Sequence, residues 1–183
     1  MNLLNRRNFM FLTKRIGKNS KDLEKIKALY INAFPENERF SFNMMIKNEN
    51  GHYETFGFYK DGVFCGFAIL LNSLDISHIL YIATVPEMRG KGLGAKALAA
   101  IGRIKSKMRI IVDIEREIPD CEENEIRRRR KNFYLRNGYS ETEVRYRWQE
   151  EAYEILVSGG KLSKEDFGNF WKALGIKKNT SEG

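Results

Sequence analysis

The spacing of hydrophobic residues along this chain predicts alternating strands and helices. Apolar residues three or four positions apart indicate helices, and apolar residues at every second position indicate strands. Asp61-Gly62 between two apolar runs is a strong hairpin signal, and Ser20 and Ser41 are placed to cap helices. The predicted elements are a strand at 8–16, helices at 21–34 and 41–49, strands at 52–60, 63–72 and 78–85, a helix from the glycine-rich turn to about 107, a strand at 109–115, a helix at about 124–137, strands at 139–148 and 151–157, and a helix after Ser163.

Hairpins and strand–helix–strand crossovers both occur in this order. We therefore predict an α/β (α+β) fold with a mixed central sheet and helices on both faces. The length of 183 residues suggests one domain with a short appendage. We place the domain at residues 1–158, and we read residues 159–183 as a C-terminal linker, a capped helix and a frayed tail. That helix carries an apolar stripe, which favours packing on the core over a partner surface: Phe167, Phe170, Trp171 and Leu174.

Composition narrows the partners that the chain can have. The sequence holds 32 Lys and Arg against 24 Asp and Glu, a net charge of +8, which points to nucleic acid, a membrane surface or an anionic small molecule. Cys65 and Cys121 lie far apart without metal-ligand spacing, which indicates reduced thiols in a cytoplasmic protein. The two histidines are equally isolated, so we expect no metal. No apolar run approaches the ~20 residues of a membrane span.

The segment 79–107 carries the most informative chemistry, because a strand, a glycine-rich turn and a helix follow one another there. A helix N-terminus presents unpaired N–H groups and the positive end of the helix dipole, and glycines let a phosphate approach that backbone. Arg89 and Lys91 add positive charge. A plain tight turn is the alternative. However, three glycines in five residues, flanked by two cations, exceed what a turn needs, so we predict a phosphate site.

Two common phosphate motifs fit this turn less well. A P-loop needs Ser or Thr after Gly-Lys, whereas Gly92 follows Gly90-Lys91 here. The looser dinucleotide fingerprint matches Gly90, Gly92 and Ala95, with Asp113 about 20 residues downstream as the ribose ligand. Against this alternative, Asp113 lies inside a strand pattern, and the remaining chain is too short for a second mononucleotide-binding half.

The turn resembles the signature of the GNAT superfamily of acetyl-CoA-dependent N-acetyltransferases. The run Arg89-Gly90-Lys91-Gly92-Leu93-Gly94 matches the pattern R/Q-x-x-G-x-G/A, and Val85-Pro86-Glu87 resembles the entry into that loop. Farther along, Phe133-Tyr134-Leu135-Arg136-Asn137-Gly138-Tyr139 resembles the second motif of the family. The resemblance covers about residues 79–148 and implies the GNAT fold, with a mixed, mostly antiparallel sheet. The sequence departs from the family at Arg127 and Arg130, where many members carry Asn and Ala.

The resemblance also implies a ligand and its position. Acetyl-CoA is the expected cosubstrate, and its pantetheine arm would pair with the backbone near Ala83 and Val85. The arm would occupy a slot where the strands 79–85 and 109–115 splay apart. An amine would attack the acetyl carbon directly, so no cysteine nucleophile is needed. The pyrophosphate would lie on the loop and helix start, formed by Arg89, Gly90, Lys91, Gly92, Leu93, Gly94 and Ala95.

Two proton transfers accompany this chemistry. By resemblance, Tyr134 is the general acid that protonates the leaving thiolate; a core aromatic is the alternative role. The base stays open. Glu115 is our candidate, because the end of its strand should face the slot, but a solvated surface carboxylate or a water chain fits as well. Some members carry a Glu on the strand before the loop, where this chain offers other side chains: His78, Tyr81 and Thr84.

The charged stretches elsewhere in the sequence can be explained either as solvated surface or as binding sites. Acids at 113–125 and cations at 127–136 predict a solvated loop and helix with local ion pairs. Functional alternatives are attraction of a cationic amine, contact with the 3′-phosphate of the coenzyme, or a nucleic-acid face. Between the first two helices lie Glu36, Glu38 and Arg39, in a region that helps form the acceptor pocket in GNAT proteins. A turn with surface charges is the plainer interpretation.

The sequence therefore predicts an acyltransferase, a GNAT-type N-acetyltransferase that moves acetyl from acetyl-CoA to a primary amine of a small molecule or protein. We expect neither nucleic acid nor a membrane as a partner, and a homodimer stays open. The alternative is a non-catalytic basic module of the same fold that binds RNA or a peptide.

Overall fold

The computed structural model describes residues 10–175, and the strands and helices within them follow the predicted order. The predicted start of the first strand at residue 8 and the predicted frayed tail from Lys177 lie outside this range. The strands are β1 (Phe11–Ile16), β2 (Tyr53–Lys60), β3 (Val63–Ser73), β4 (Ile76–Thr84), β5 (Arg109–Glu115), β6 (Ser140–Trp148) and β7 (Glu151–Ser158). The helices are α1 (Leu23–Ala33), α2 (Phe42–Lys47), α3 (Leu93–Ile104), α4 (Asn124–Arg136) and α5 (Lys164–Ala173), with single 3₁₀ turns at Glu36–Glu38 and Pro86–Met88.

The strands form one mixed sheet in the order β1-β2-β3-β4-β5-β7-β6. Neighbouring strands are antiparallel except β4 and β5, which the α3 crossover makes parallel. The parallel pairing is short, running only from Ile76 opposite Arg109 to Ile79 opposite Val112. Beyond these residues, β4 and β5 continue without pairing to each other. A slot therefore opens in the middle of the sheet, as the resemblance implies.

Helices cover both faces of this sheet. On one face, α3 and α4 bury Ile101 and Tyr134 against the strands. On the other face, α1 and α2 bury Ile26 and Met45, and α5 buries Phe170 completely. The mixed α/β architecture with helices on both faces is thus confirmed. The apolar stripe of α5 packs on the core, so this helix shares its hydrophobic cluster with the sheet.

Three local features differ from the predicted pattern. The N-cap of α1 is Asp22 rather than Ser20, because the Ser20 hydroxyl instead accepts from the Asp22 N–H at 3.3 Å in the turn before the helix. Ile104 continues the apolar periodicity of α3 but is 48% exposed, because it is the last residue of that helix. Trp148 alternates with the buried Val144 and Tyr146 along β6 but is 40% exposed, because it ends that strand.

The start of α5 is stabilised by a capping box. The Ser163 hydroxyl accepts from the Asp166 N–H at 3.0 Å, and the Asp166 carboxylate accepts from the Ser163 N–H at 3.0 Å. Replacing Ser163 with alanine should therefore lower the free energy of unfolding by about 1 kcal/mol. Urea unfolding measures this change. Ser163→Thr keeps the hydroxyl and should stay near the wild type, whereas an unchanged midpoint for Ser163→Ala would show that the cap contributes nothing.

Candidate active site

The glycine-rich turn joins β4 to α3 in a conformation that glycine favours. Gly90 and Gly92 have φ angles of +73° and +70°, which other residues adopt at a cost. A Cβ atom built on either glycine meets nothing within 4 Å. The backbone here is therefore strained for larger residues, but the space in front of it is open. Gly92 is also the N-cap of α3, and no side chain caps this helix.

Unpaired N–H groups line that open space. The first hydrogen bond of α3 runs from the Lys96 N–H to the Gly92 carbonyl at 3.2 Å. The amides of Leu93, Gly94 and Ala95 therefore have no partner within the helix. They lie at the positive end of a 12-residue helix dipole. N–H groups at a helix start are suited to bind phosphate, and the glycines leave the space before them free of side chains.

The side chains of the loop have different surroundings. Arg89 lies on the wall of the cavity described below, and the Lys91 ammonium donates to the Glu87 carbonyl at 3.1 Å. Leu93 is buried in the core. A Cβ on Gly94 would lie 3.1 Å from the Phe133 ring, so the absence of a side chain there lets α3 approach α4. Leu93 and Gly94 thus contribute packing and backbone groups.

The backbone of β4 differs in detail from the predicted pairing. The Val85 N–H donates to the Cys65 carbonyl at 3.0 Å, and the Val85 carbonyl accepts from Met88 at 3.0 Å. Backbone groups of alternate residues point to the same neighbour in a sheet, so Ala83 also faces β3. Ala83 and Val85 are therefore occupied by protein. The backbone groups that face the slot belong to Ile82 and Thr84.

One cavity of about 1160 Å³ follows the slot and brings together some of the predicted site residues, whereas Val85 and residues 90–95 of the turn are not on its wall. Its wall includes the end of β4, Arg89, Tyr134 and Glu115. It also includes residues of the segment between α1 and α2. Aromatic side chains line much of the remainder: Phe34, Phe40, Tyr53, Tyr81, Tyr146, Trp148, Tyr153 and Trp171.

Tyr134 presents a phenol to this cavity. Its side chain is buried and makes edge contacts with Phe133 and Tyr139, each with ring centroids 5.3 Å apart. Within residues 10–175 its hydroxyl has no hydrogen-bond partner. Burial raises the pKa of Tyr134, and the Arg130 guanidinium acts in the opposite direction. The phenol is therefore protonated at neutral pH and available as a donor.

Arg127 and Arg130, the two residues that depart from the family pattern, make different contacts. Arg130 is partly exposed on the cavity wall and binds the Glu115 carboxylate. Arg127 is buried and donates to the Arg116 carbonyl at 2.6 Å and to Glu151 at 3.0 Å. Arg127 thus joins α4 to the loop after β5 and to β7. Arg130, in contrast, brings a cation into the cavity beside Glu115.

The cations of α4 confirm the prediction of local ion pairs. Each of the five consecutive cations at 127–131 contacts a carboxylate, so the run does not form an unpaired face for tracking phosphates. These pairs are Arg127 with Glu151, Arg128 with Glu117, Arg129 with Glu125, Arg130 with Glu115, and Lys131 with Glu141 and Glu154.

A cluster of polar side chains on the cavity wall was not predicted from the sequence. His78 is buried, and its Nε2 lies 2.7 Å from Asp113 Oδ1, while the Tyr146 hydroxyl donates to the other carboxylate oxygen. The cluster forms because parallel pairing sets His78 opposite Ile111, next to the start of the splay. Asp113 is thus held by protein groups, which disfavours the ribose-binding role of the dinucleotide alternative. The sequence signal that could have pointed to this cluster is Asp113 itself, an acid within an otherwise apolar strand.

Comparison with known families decides among these interpretations. A family model described as an acetyltransferase (GNAT) domain matches residues 51–141, which include both halves of the slot and the Tyr134 helix. The chain belongs to the GNAT superfamily. Acetyl-CoA is accordingly its cosubstrate, and acetyl transfer is its activity at the level of the family. A search of curated proteins finds no match to this sequence.

Solved structures of GNAT proteins share the fold. A GNAT-family protein from Bacteroides thetaiotaomicron is 20% identical, with a TM-score of 0.74, and the match covers 89% of this chain and 95% of that one. The ribosomal-protein-S18-alanine N-acetyltransferase from Escherichia coli is 20% identical, with a TM-score of 0.60 over 86% and 98%. An aminoglycoside 6′-N-acetyltransferase in complex with coenzyme A is 10% identical, with a TM-score of 0.65 over 80% and 96%.

Two further observations concern residues 10–175 alone. No helix in this range has the length and hydrophobicity that crossing a membrane requires. No three side chains of His, Cys, Asp or Glu in the same range are grouped to hold a metal ion. Cys65 and Cys121 are both free thiols.

Proposed function

We propose that this GNAT protein transfers acetyl from acetyl-CoA to a primary amine of a small molecule or protein. The observation that supports this most is the continuous cavity, which connects Arg89 at the glycine turn with Tyr134 and with an acidic, aromatic wall. Acetyl-CoA supplies the acetyl group as a thioester. The protein supplies a phosphate cradle, a proton donor and an amine pocket, which is the set of groups that direct transfer needs.

The glycine turn and β4 would hold the cosubstrate. The amides of Leu93, Gly94 and Ala95 would bind the pyrophosphate, with Arg89 and Lys91 adding positive charge. The slot-facing backbone of Ile82 and Thr84 would pair with the pantetheine arm. These last two replace Ala83 and Val85 in the proposal, because the latter already face β3.

Tyr134 would act as the general acid, donating its Oη proton to the departing sulfur. Its hydroxyl has no competing hydrogen-bond partner within the described residues, and burial keeps it protonated. Because burial also makes the phenol a weaker acid, hydrogen bonding to the developing thiolate would contribute much of the effect. Arg130 offsets part of this penalty, since the guanidinium lowers the pKa of Tyr134.

The wall of the amine pocket favours a cationic acceptor with an apolar body. Glu38, Asp113 and Glu115 supply negative charge among aromatic side chains. Aromatic faces attract ammonium groups at short range. The two relatives with named acceptors act on a ribosomal-protein alanine and on an aminoglycoside, so the GNAT fold serves both protein and small-molecule amines.

Release of free thiol from acetyl-CoA over a panel of primary amines and peptides tests this function. We expect thiol release that depends on an amine, together with a rise in melting temperature when coenzyme A is added. The opposite result is salt-dependent RNA binding with no thermal shift from coenzyme A and no thiol release. That outcome would support the non-catalytic alternative, which the paired cations of α4 disfavour.

A further inference from the structure

The segment between α1 and α2 is fastened onto β4 by hydrogen bonds. The Tyr81 hydroxyl donates to the Glu38 carbonyl at 2.9 Å and accepts from the Phe40 N–H at 2.9 Å. The Tyr30 hydroxyl donates to the Phe40 carbonyl at 2.8 Å. Two buried tyrosines from different elements therefore fix the backbone on both sides of Arg39. This fastening determines where the Glu38 side chain lies.

The segment between α1 and α2 is also held from the other side of the slot, by the β6–β7 hairpin. The Gln149 side-chain amide donates to the Asn37 carbonyl at 3.0 Å from the turn between β6 and β7. The rings of Phe40 and Trp148 meet edge to face with centroids 6.4 Å apart. Glu38 is consequently presented from a segment that is held by the sheet on both sides of the slot.

The Glu38 carboxylate lines the cavity that also contains Tyr134 and Glu115. It is half-buried, and within residues 10–175 no Lys, Arg or His nitrogen lies within ion-pair distance of it. Burial and then the nearby Glu115 carboxylate raise the pKa of Glu38, which Arg130 opposes. A carboxylate in such surroundings has an increased tendency to accept a proton.

Glu115 has different surroundings from Glu38. Its carboxylate is bound by Arg130 through one oxygen, so a guanidinium already partly neutralises its charge. Glu115 is therefore better suited to attract a cationic amine than to deprotonate it. Its negative charge also raises the pKa of Glu38. The two acids therefore have separate roles.

We propose that Glu38 is the catalytic base that takes a proton from the acceptor ammonium, a role that rests on the proposed acetyl transfer. Glu38 accepts the N–H proton on a carboxylate oxygen, and the freed nitrogen lone pair forms the bond to the acetyl carbon. The carbon–sulfur bond breaks with its electron pair on sulfur. Tyr134 then gives its Oη proton to that sulfur. The acetylated nitrogen gives its remaining extra proton to solvent, which also takes the proton from Glu38 and restores the one on Tyr134.

The pH dependence follows from the groups that face Glu38. These are Glu115 on β5, Arg130 on α4, Glu151 and Tyr153 on β7, and Tyr81 on β4. Because the base must be ionised, kcat should fall as the pH drops through the raised pKa of Glu38. Glu115→Gln removes a like charge and frees Arg130, and both changes should move this fall to lower pH.

The test compares Glu38→Gln with Glu36→Gln, which changes an exposed acid in the same 3₁₀ turn. Thiol release is measured with the best acceptor of the amine panel and with its analogues that carry one, two or three fluorines beside the amine carbon. Fluorine lowers the basicity of the amine with little change in size. Glu38→Gln should lose about a hundredfold in kcat with the most basic amine at low pH. The loss should shrink as fluorines are added or the pH rises, because the amine then needs no base.

Four outcomes would overturn the inference. An equal loss for every amine at every pH would assign Glu38 a positioning role, and a loss as large for Glu36→Gln would assign the effect to the turn. Retention of full kcat by Glu38→Gln would also exclude Glu38 as the base. If the wild type releases no thiol with any amine, the proposed function fails, and this inference fails with it.

Discussion

Replacing Gly92 with aspartate should abolish the binding of coenzyme A and leave the fold intact. The new side chain would project into open space, since no atom lies within 4 Å of its Cβ. Asp tolerates positive φ better than most residues, which limits the backbone strain at this position. The carboxylate would, however, occupy the position of the pyrophosphate and repel it. We expect at least about a hundredfold loss of affinity, given the charge and the lost N–H contacts.

Gly92→Asn is the matched control for this prediction. Asparagine has the same shape and also tolerates positive φ, but it carries no charge. Its affinity for coenzyme A in isothermal titration calorimetry should fall far less than that of Gly92→Asp. Equal losses in the two variants would mean that bulk, rather than charge, disrupts binding. Wild-type affinity in Gly92→Asp would show that the phosphate lies elsewhere.

Replacing Tyr134 with phenylalanine should lower kcat by about 10²–10³-fold, the usual cost of removing a hydrogen-bond donor from a developing charge. The ring packs between Phe133 and Tyr139, and phenylalanine preserves those contacts. The hydroxyl has no hydrogen-bond partner within the described residues, so its loss leaves no protein group unsatisfied. Stability and the affinity for coenzyme A should therefore stay close to those of the wild type.

Tyr139→Phe provides the comparison, because it removes a hydroxyl from the same aromatic cluster outside the cavity wall. Steady-state thiol release and coenzyme A titrations on both variants separate chemistry from packing. The expected pattern is a large loss of kcat for Tyr134→Phe and a small one for Tyr139→Phe. Comparable losses would assign the effect to packing, and unchanged turnover in Tyr134→Phe would remove this residue from the mechanism.

Local signals predicted the fold to a large extent. Strand alternation, the Asp61-Gly62 hairpin and the Ser163 capping box each act over a few residues, and all three occur in the structure. The errors concern the ends of elements. Ile104 and Trp148 follow the periodicity of their elements, yet they lie at the last position, where no neighbouring layer covers them.

The features of the candidate site that the sequence did not predict depend on contacts between residues far apart in the chain. The approach of His78 to Asp113 depends on the parallel register of β4 and β5. The placement of Glu38 depends on a tyrosine from β4 that lies 43 residues farther along the chain. Neither contact changes the hydrophobic periodicity of the sequence, so the periodicity could not predict it. The glycine turn, in contrast, is a contiguous motif, so its phosphate-binding role could be predicted from neighbouring residues alone.

Because β4 and β5 pair over only four residues, acetyl-CoA bound in the slot as proposed would be a structural component as well as a reactant. The backbone groups that face the slot have no neighbouring strand to pair with. A backbone N–H or C=O group that is shielded from water without a hydrogen bond lowers the stability of the fold. Cosubstrate at a hundredfold excess over its dissociation constant would add about 2.7 kcal/mol to the free energy of unfolding. The lifetime of the folded protein in a cell would therefore follow the supply of acetyl-CoA, so that a shortage of the metabolite reduces both the activity of the enzyme and its abundance.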